Sequence, residues 1–323
     1  MNSISRRAFL AGSAGAAALT LTACGGSGSS DASGDKTYKI GVLQLTQHAA
    51  LDAANEGFVE ALDASGIKYT IDQQNANNDQ SACATIASKL VGDGDDLIFA
   101  IATPAAQAVA AATSDIPIVG SAITDYAASG LVADNDKPGG NLTGTSDMNP
   151  VDDQIAMLQK VLPEAKHIGM LYCTAESNSQ LQIEMAEAAC DKAGLTTERF
   201  TVSSSNEIQS VVESMVGNVD AGYSPTDNTI AAAAAQVGQI AKEGKLPFIT
   251  GEENMCMGMG ICTVSIDYKE LGKMAGEMAV KILKGEDAPA NMAIETEAGD
   301  QLQTIKNEEM AEALGIDLSV LDA

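Results

Sequence analysis

An alternation that runs through the chain twice is the strongest constraint on its fold. From residue 38 onward, short apolar runs alternate with longer stretches in which apolar residues recur every three to four positions. This predicts strands at 38–44, 68–72, 97–102, 116–120 and 141–145, with helices at 50–65, 80–92 and 103–111. The same order then restarts with helix 151–161, strand 167–173, helix 179–193, strand 196–201, helix 207–216, strand 219–223, helix 229–243 and strand 247–250. A strand at 263–266, an amphipathic helix at 268–283 and a short helix at 307–314 complete the chain. Helices set between strands imply parallel pairing through right-handed crossovers. Two doubly wound, Rossmann-like α/β lobes in tandem are the simplest account.

Local signals agree with this division. Residues 50–65 place Ala53, Ala54, Gly57, Phe58, Ala61 and Leu62 on one helical face. Thr103 and Pro104 suit the N-cap and the first helical position, where a hydroxyl acceptor and a missing N–H are favoured. Gly244 ends the alanine-rich helix before it.

The first residues belong to a different problem. A basic start with Arg6 and Arg7 leads into a small-residue apolar stretch that ends Leu21-Thr22-Ala23-Cys24. That order reads as an export signal over residues 1–23, and its apolar run is too short and too rich in Ala and Gly to span a bilayer. Leu-Thr-Ala-Cys resembles the lipobox of bacterial lipoproteins, which makes Cys24 the lipidated first mature residue. Ser5-Arg6-Arg7-Ala8-Phe9-Leu10 fits equally a twin-arginine motif and a generic basic region. Residues 24–36, rich in Gly, Ser and Asp, have nothing to bury and read as a flexible tether.

About 287 residues follow from Thr37, enough for two domains with separate cores. Removing residues 1–23 takes Arg6 and Arg7 from the 18 basic side chains and leaves 16 against 44 acids, a formal charge of −28. Such a surface repels nucleic acid and anionic headgroups and argues against both as partners. Besides Cys24 there are Cys83, Cys173, Cys190, Cys256 and Cys262, an odd number, so at least one is unpaired or none forms a disulfide.

Several blocks together carry a family likeness. They are His48-Ala49-Ala50-Leu51-Asp52, Ala102-Thr103-Pro104-Ala105-Ala106-Gln107, Gly144-Thr145-Ser146-Asp147, Leu171 through Ser179 and Ser224-Pro225-Thr226-Asp227-Asn228-Thr229. The chain resembles the substrate-binding lipoproteins of ABC transporters, of the tryptophan/tyrosine-binding type. The resemblance implies a type I periplasmic-binding-protein fold, two Rossmann-like lobes joined by a three-crossing hinge with ligand in the cleft. On that pattern the crossings fall near Asp147, Gly251 and Glu286, giving lobe 1 as 37–147 and 252–285, and lobe 2 as 148–251 and 286–323. It also implies an aromatic or hydrophobic amino acid as ligand, an ABC permease and its ATPase as partners, and a monomer held to the outer side of the membrane by lipid on Cys24. No cofactor is implied. Ala49 departs from the family, where proline is common, and 254–260 is unusually rich in sulfur.

The residues point to the same cleft without the resemblance. In open parallel sheets ligands bind beyond the carboxyl ends of the strands, and here each strand end is followed by polar residues. The candidates are Gln47, His48 and Leu51; Thr103 and Pro104; Thr124 and Asp125; Ser146 and Asp147; Glu176, Ser177 and Asn178; Thr226, Asp227 and Asn228; and Glu252. Thr103, Ser177 and Ser179 stand at helix starts, where free N–H groups can hold a carboxylate. Asp147, Glu176 and Asp227 are the available partners for an ammonium. Each of these residue types also serves as an ordinary helix cap. Tyr126, Tyr172, Tyr223 and Tyr268 are the aromatic candidates. Met255, Cys256, Met257, Met259 and Cys262 either ligate a soft metal or pack a crossing segment.

Reversible capture by lobe closure is the leading function. An enzyme lacks support: there is no Gly-x-Ser-x-Gly elbow, zinc-type His pair, phosphate-loop Lys or dinucleotide fingerprint. A tethered sensor would carry an identical cleft, and a nucleoside or peptide-like ligand would also suit polar strand ends.

Overall fold

The computed structural model describes residues 36–297 and 299–322. The expected export signal, Cys24 and the expected tether up to residue 35 lie outside them.

The first half forms β1 (Thr37–Gln44), α1 (Ala49–Ser65), β2 (Lys68–Asn75), α2 (Gln80–Asp93), β3 (Leu97–Ile101), α3 (Thr103–Ala112), β4 (Ile118–Ile123) and β5 (Leu142–Ser146). These strands make one parallel sheet in the order β2-β1-β3-β4-β5. β3 and β4 are buried along their whole length because helices cover both faces, which is why they read as unbroken apolar runs.

The second half runs through α4 (Val151–Val161), β6 (His167–Cys173), α5 (Ser177–Ala193), β7 (Thr196–Val202), α6 (Ile208–Met215), β8 (Ala221–Ser224), α7 (Asn228–Ala231), α8 (Ala234–Gly244), β9 (Phe248–Thr250), α9 (Glu253–Met259) and β10 (Cys262–Ser265). α10 (Tyr268–Leu283), β11 (Gln303–Lys306) and α11 (Glu308–Leu314) follow. The second sheet is ordered β11-β10-β9-β8-β6-β7. Counted from β6, its five parallel strands repeat the 2-1-3-4-5 order of the first sheet, and β11 adds to the edge antiparallel to β10. Each lobe buries its own core, and the second packs apolar side chains on both faces of its sheet.

The lobe boundaries differ from those expected. Residues 252–265 belong to lobe 2, since β10 pairs with β9 through Cys262 and Ile249 and α9 is the crossover between them. α10 returns to lobe 1, where it packs along α1. The return is close: Cβ atoms added at Gly57 and Gly272 would stand 2.0 Å from the Lys269 carbonyl oxygen and 1.9 Å from that of Ala54. Residues 289–296 stay in lobe 1 beside β5, with the Ser146 N–H donating to the Glu295 carbonyl and the Thr143 hydroxyl to the Met292 carbonyl, both at 2.7 Å. The third crossing thus comes after Glu297 and not near Glu286. The crossings therefore lie at Asp147, at Ile266–Asp267, and between Glu297 and β11. They are tied to one another: the Ile266 N–H donates to Asn149 Oδ1 at 3.1 Å, the Asp267 N–H to Glu297 Oε2 at 2.7 Å, and the Thr296 hydroxyl to the Ser146 carbonyl at 2.9 Å.

Three local expectations are also corrected. Ala102, at φ 84°, occupies the N-cap position of α3 and Thr103 is already helical, with its hydroxyl buried and unpartnered. The helix expected at 229–243 is two, α7 and α8, separated at Ala232–Ala233. The sulfur-rich segment packs lobe 2 as a helix and not as a crossing, with Met255, Cys256, Met259 and Cys262 buried. All five cysteines of the described residues are free and buried, and no group of three His, Cys, Asp or Glu among those residues could hold a metal.

Candidate functional site

The carboxyl ends of the two sheets face each other across one cleft. Lobe 1 supplies His48, Ala50 and Leu51, where β1 leads into α1, and Ala122 at the end of β4. Asp147 and Tyr268 stand beside the first two crossings. Lobe 2 supplies Asn178 in the first turn of α5, Thr226 to Asn228 and Ala231 around α7, and Glu252 and Met255 at the start of α9. The space left between them is about 10 Å³, room for roughly one water, so the lobes are shut more tightly than a larger molecule held between them would allow. Hydrogen bonds cross the closure: His48 Nε2 lies 3.2 Å from Asn228 Oδ1, Asn78 Nδ2 donates to Thr229 Oγ1 at 2.9 Å, and Gln80 Nε2 donates to the Ala175 carbonyl at 2.9 Å.

The acids that sequence leaves equivalent are not equivalent here. Glu176 is saturated inside lobe 2. Its Oε1 accepts from the N–H and hydroxyl of Thr229 at 2.9 and 2.8 Å, and its Oε2 accepts from the N–H and Nδ2 of Asn228 at 3.1 and 2.6 Å. Asp227 caps α7 through the Ile230 N–H at 2.9 Å and accepts from the Cys173 N–H at 2.7 Å, tying the loop to β6. Glu252 caps α9, its two oxygens each accepting a backbone N–H at 2.6 Å. Burial nevertheless pushes Glu252 up to about 7, and burial followed by the charge of Glu176 raises Asp227.

Asp147 differs from all three. Its Oδ2 accepts from the Tyr268 hydroxyl at 2.8 Å, while its Oδ1 is buried with no partner. Burial pushes it up to about 6 against the opposing hydrogen bond from Tyr268. The residues that line the cleft include three carboxylates and neither Lys nor Arg.

The remaining candidates lie around this centre. Thr124 accepts from Gln182 across the closure at 3.4 Å, and its carbonyl accepts from the Ser146 hydroxyl at 2.7 Å, which shapes the turn into Asp147. Asp125 holds its own turn by accepting from the Ala128 N–H and Asn135 Nδ2. Gln47 and Ser177 are exposed, Ser179 is buried, and Pro104 lines the wider mouth of the cleft with Asn78 and Glu176. Of the four tyrosines, only Tyr268 reaches the cleft. Tyr126 donates to the Thr145 carbonyl in the lobe 1 core, Tyr223 donates to Gln154 in lobe 2, and the Arg199 guanidinium lies over Tyr172. Sequence reasoning misses Ala50, Ala122, Ala231 and Met255. Ala122 enters the cleft because β4 shifts register between Gly120 and Ile123 and sets Ala122 at φ 56°.

The family described as ABC transporter substrate binding protein matches residues 39–320. A tyrosine-binding protein of Clostridioides difficile is 39% identical over 300 residues, which cover 88% of this chain and 87% of that protein. The structure of an ABC domain from Streptococcus pneumonia in complex with L-Trp is 41% identical, with a TM-score of 0.85 over 89% of this chain and 98% of that one. A ligand-free, open substrate-binding protein with adhesive properties from Clostridium difficile is 42% identical, yet its TM-score is 0.66 over 87% of this chain and 95% of that one. At equal identity, the lower score against the open form is what a rotation between lobes produces. This chain therefore has the closed arrangement.

Proposed function

This chain belongs to the family of ABC transporter substrate-binding proteins, and from that premise we propose that it captures an aromatic amino acid between its lobes for an ABC permease and ATPase. The observation that carries the ligand class is Asp147: a buried carboxylate with one unpartnered oxygen, in a cleft without a cationic side chain, calls for a cation from the ligand. An amino acid supplies one as its ammonium.

The same cleft has a place for the carboxylate. Ala50 and Leu51 lie in the first turn of α1 and line the cleft, and the N-cap residue His48 makes no side-chain hydrogen bond to that turn. First-turn N–H groups have no partner within the helix, and the helix dipole favours negative charge there. Leu51, Ala122, Ala231 and Met255 give the side chain an apolar lining. Two relatives of about 40% identity, one named for tyrosine and one holding L-Trp, support an aromatic side chain.

Contacts to both lobes at once favour the closed form, which is all the work the ligand has to do; no bond is made or broken. On this reading the protein is a monomer outside the cytoplasmic membrane, anchored by lipid on Cys24, and not an enzyme. A thermal-shift screen of the purified protein against the common L-amino acids, nucleosides and sugars tests the ligand class. L-Tyrosine or L-tryptophan at about 100 times Kd should stabilise the fold by about 2.7 kcal/mol. A screen in which only nucleosides or sugars raise the melting temperature refutes the proposal.

A further inference from the structure

Glu176 is the residue that decides which way the cleft's polar atoms point. A carboxylate can only accept, so the Asn228 amide, 2.6 Å from Oε2, must present its nitrogen to Glu176 and its oxygen to His48. His48 Nε2 must then carry the proton that meets Asn228 Oδ1. Loss of solvation holds the imidazole below its usual pKa and so neutral, which leaves Nδ1 a bare acceptor. Asn178 is oriented the same way: its Nδ2 donates to the Thr226 carbonyl at 3.1 Å and to Glu176 Oε2 at 3.4 Å, which turns Oδ1 away from both.

Three side-chain atoms on residues lining the cleft are buried without any partner: His48 Nδ1, Asp147 Oδ1 and Asn178 Oδ1. All three are acceptors. We infer that the site selects a primary ammonium, whose three N–H groups these atoms receive, and that Glu176 is the positioning residue that sets two of the three. The inference rests on the proposed amino-acid ligand and adds which amines qualify and what reads them. A primary ammonium saturates the set, whereas a secondary amine leaves one buried acceptor unmade and adds a methyl group where the lobes meet.

The arrangement also couples recognition to closure. His48 belongs to lobe 1, Asn178 and Asn228 to lobe 2, and Asp147 to the first crossing. With the lobes apart, His48 loses Asn228 and its proton is free to sit on either nitrogen. The acceptor set is complete only when the lobes close, so closure builds the ammonium site instead of merely covering it.

The test compares calorimetric affinities of the purified protein for L-tyrosine and L-tryptophan with those for their N-methyl derivatives. The N-methyl forms should bind about 10- to 100-fold more weakly. In Glu176→Gln the discrimination between parent and N-methyl ligand should shrink, whereas a purely structural defect would lower both affinities in parallel. Nitrogen NMR of His48 in the wild-type complex reads the tautomer directly and should show Nε2 protonated and Nδ1 bare. Equal affinity for parent and N-methyl ligands, or a protonated Nδ1 in the complex, overturns the inference while leaving amino-acid capture intact. If neither L-tyrosine nor L-tryptophan binds, the functional reading falls and the inference with it.

Discussion

Asp147→Asn should weaken binding of L-tyrosine and L-tryptophan by about 2–5 kcal/mol, a rise in Kd of roughly 30-fold to several thousand-fold. The variant keeps the shape of the side chain and an oxygen for the Tyr268 hydroxyl, but removes the charge opposite the ligand ammonium. The pH dependence has a definite sign. Asp147 titrates near 6 in the fold instead of 3.8. Between about pH 4 and 6 the folded chain holds a proton that the unfolded chain has released, so this group makes the ligand-free protein less stable as pH rises. Ligand binding runs the other way, because the ammonium needs the ionised form: affinity should fall, by at most tenfold per unit, as pH drops below about 6. Asp147→Asn should flatten that limb. Asp227 and Glu252, also raised by burial, remain in the variant and account for any residual slope, as does His48. Calorimetric titrations of both proteins at pH 5, 6 and 7 measure this, and a variant within threefold of the parent at pH 7 removes Asp147 from the site. Asp227→Ala should instead loosen the α7 loop, because both Asp227 oxygens hold backbone N–H groups.

Gly272→Ala and Gly92→Ala add the same methyl group to two helices and should move stability in opposite directions. In α10, the new Cβ would lie 1.9 Å from the Ala54 carbonyl oxygen, a backbone atom of α1 that can yield only if the helices separate. Overpacking costs typically about 1–3 kcal/mol where side chains can adjust, and here none can, so about 3 kcal/mol or more is expected, a fall in Tm on the order of 10 °C. In α2, nothing lies within 4 Å of a Cβ at Gly92 and its backbone is ordinary helix, so alanine should gain about 0.5–1 kcal/mol. The α1–α10 contact is what fastens the returning chain segment to lobe 1. Equal melting temperatures for the two variants would mean that the helices do not approach so closely.

The sequence made the architecture readable where periodicity alone decides it. Two rounds of strand and helix appear as apolar runs because parallel strands are buried on both faces, as in β3 and β4. β11 is different: four largely uncovered residues, Gln303 to Lys306, form a strand only because the free edge of β10 is beside them. α9 hid for a related reason. Its buried stripe, Met255, Cys256 and Met259, is only one turn long, too short for a period to show, and it is started by the Glu252 cap, so the second crossing was expected at Gly251, well before Ile266.

The site was readable as a region and not as a set of roles. The rule that strand ends bind ligands brings His48, Asp147, Asn178, Asp227 and Glu252 to one cleft. Which acid keeps a free oxygen is settled by partners about fifty residues away in sequence, such as Asn228 and Thr229 for Glu176, and no local pattern records them. Ala122 carries no sequence signal at all. Its positive φ comes from the irregular pairing of β4 with β5, strain of the kind that gathers at functional sites.

Capture of an amino acid between the lobes is tested most directly by a crystal structure of the purified protein grown with L-tyrosine or L-tryptophan. The account predicts closed lobes around the ligand, with its ammonium within hydrogen-bond distance of Asp147 Oδ1 and its carboxylate at the first turn of α1. A ligand seated outside the cleft, or one bound with its carboxylate against Asp147, would contradict it.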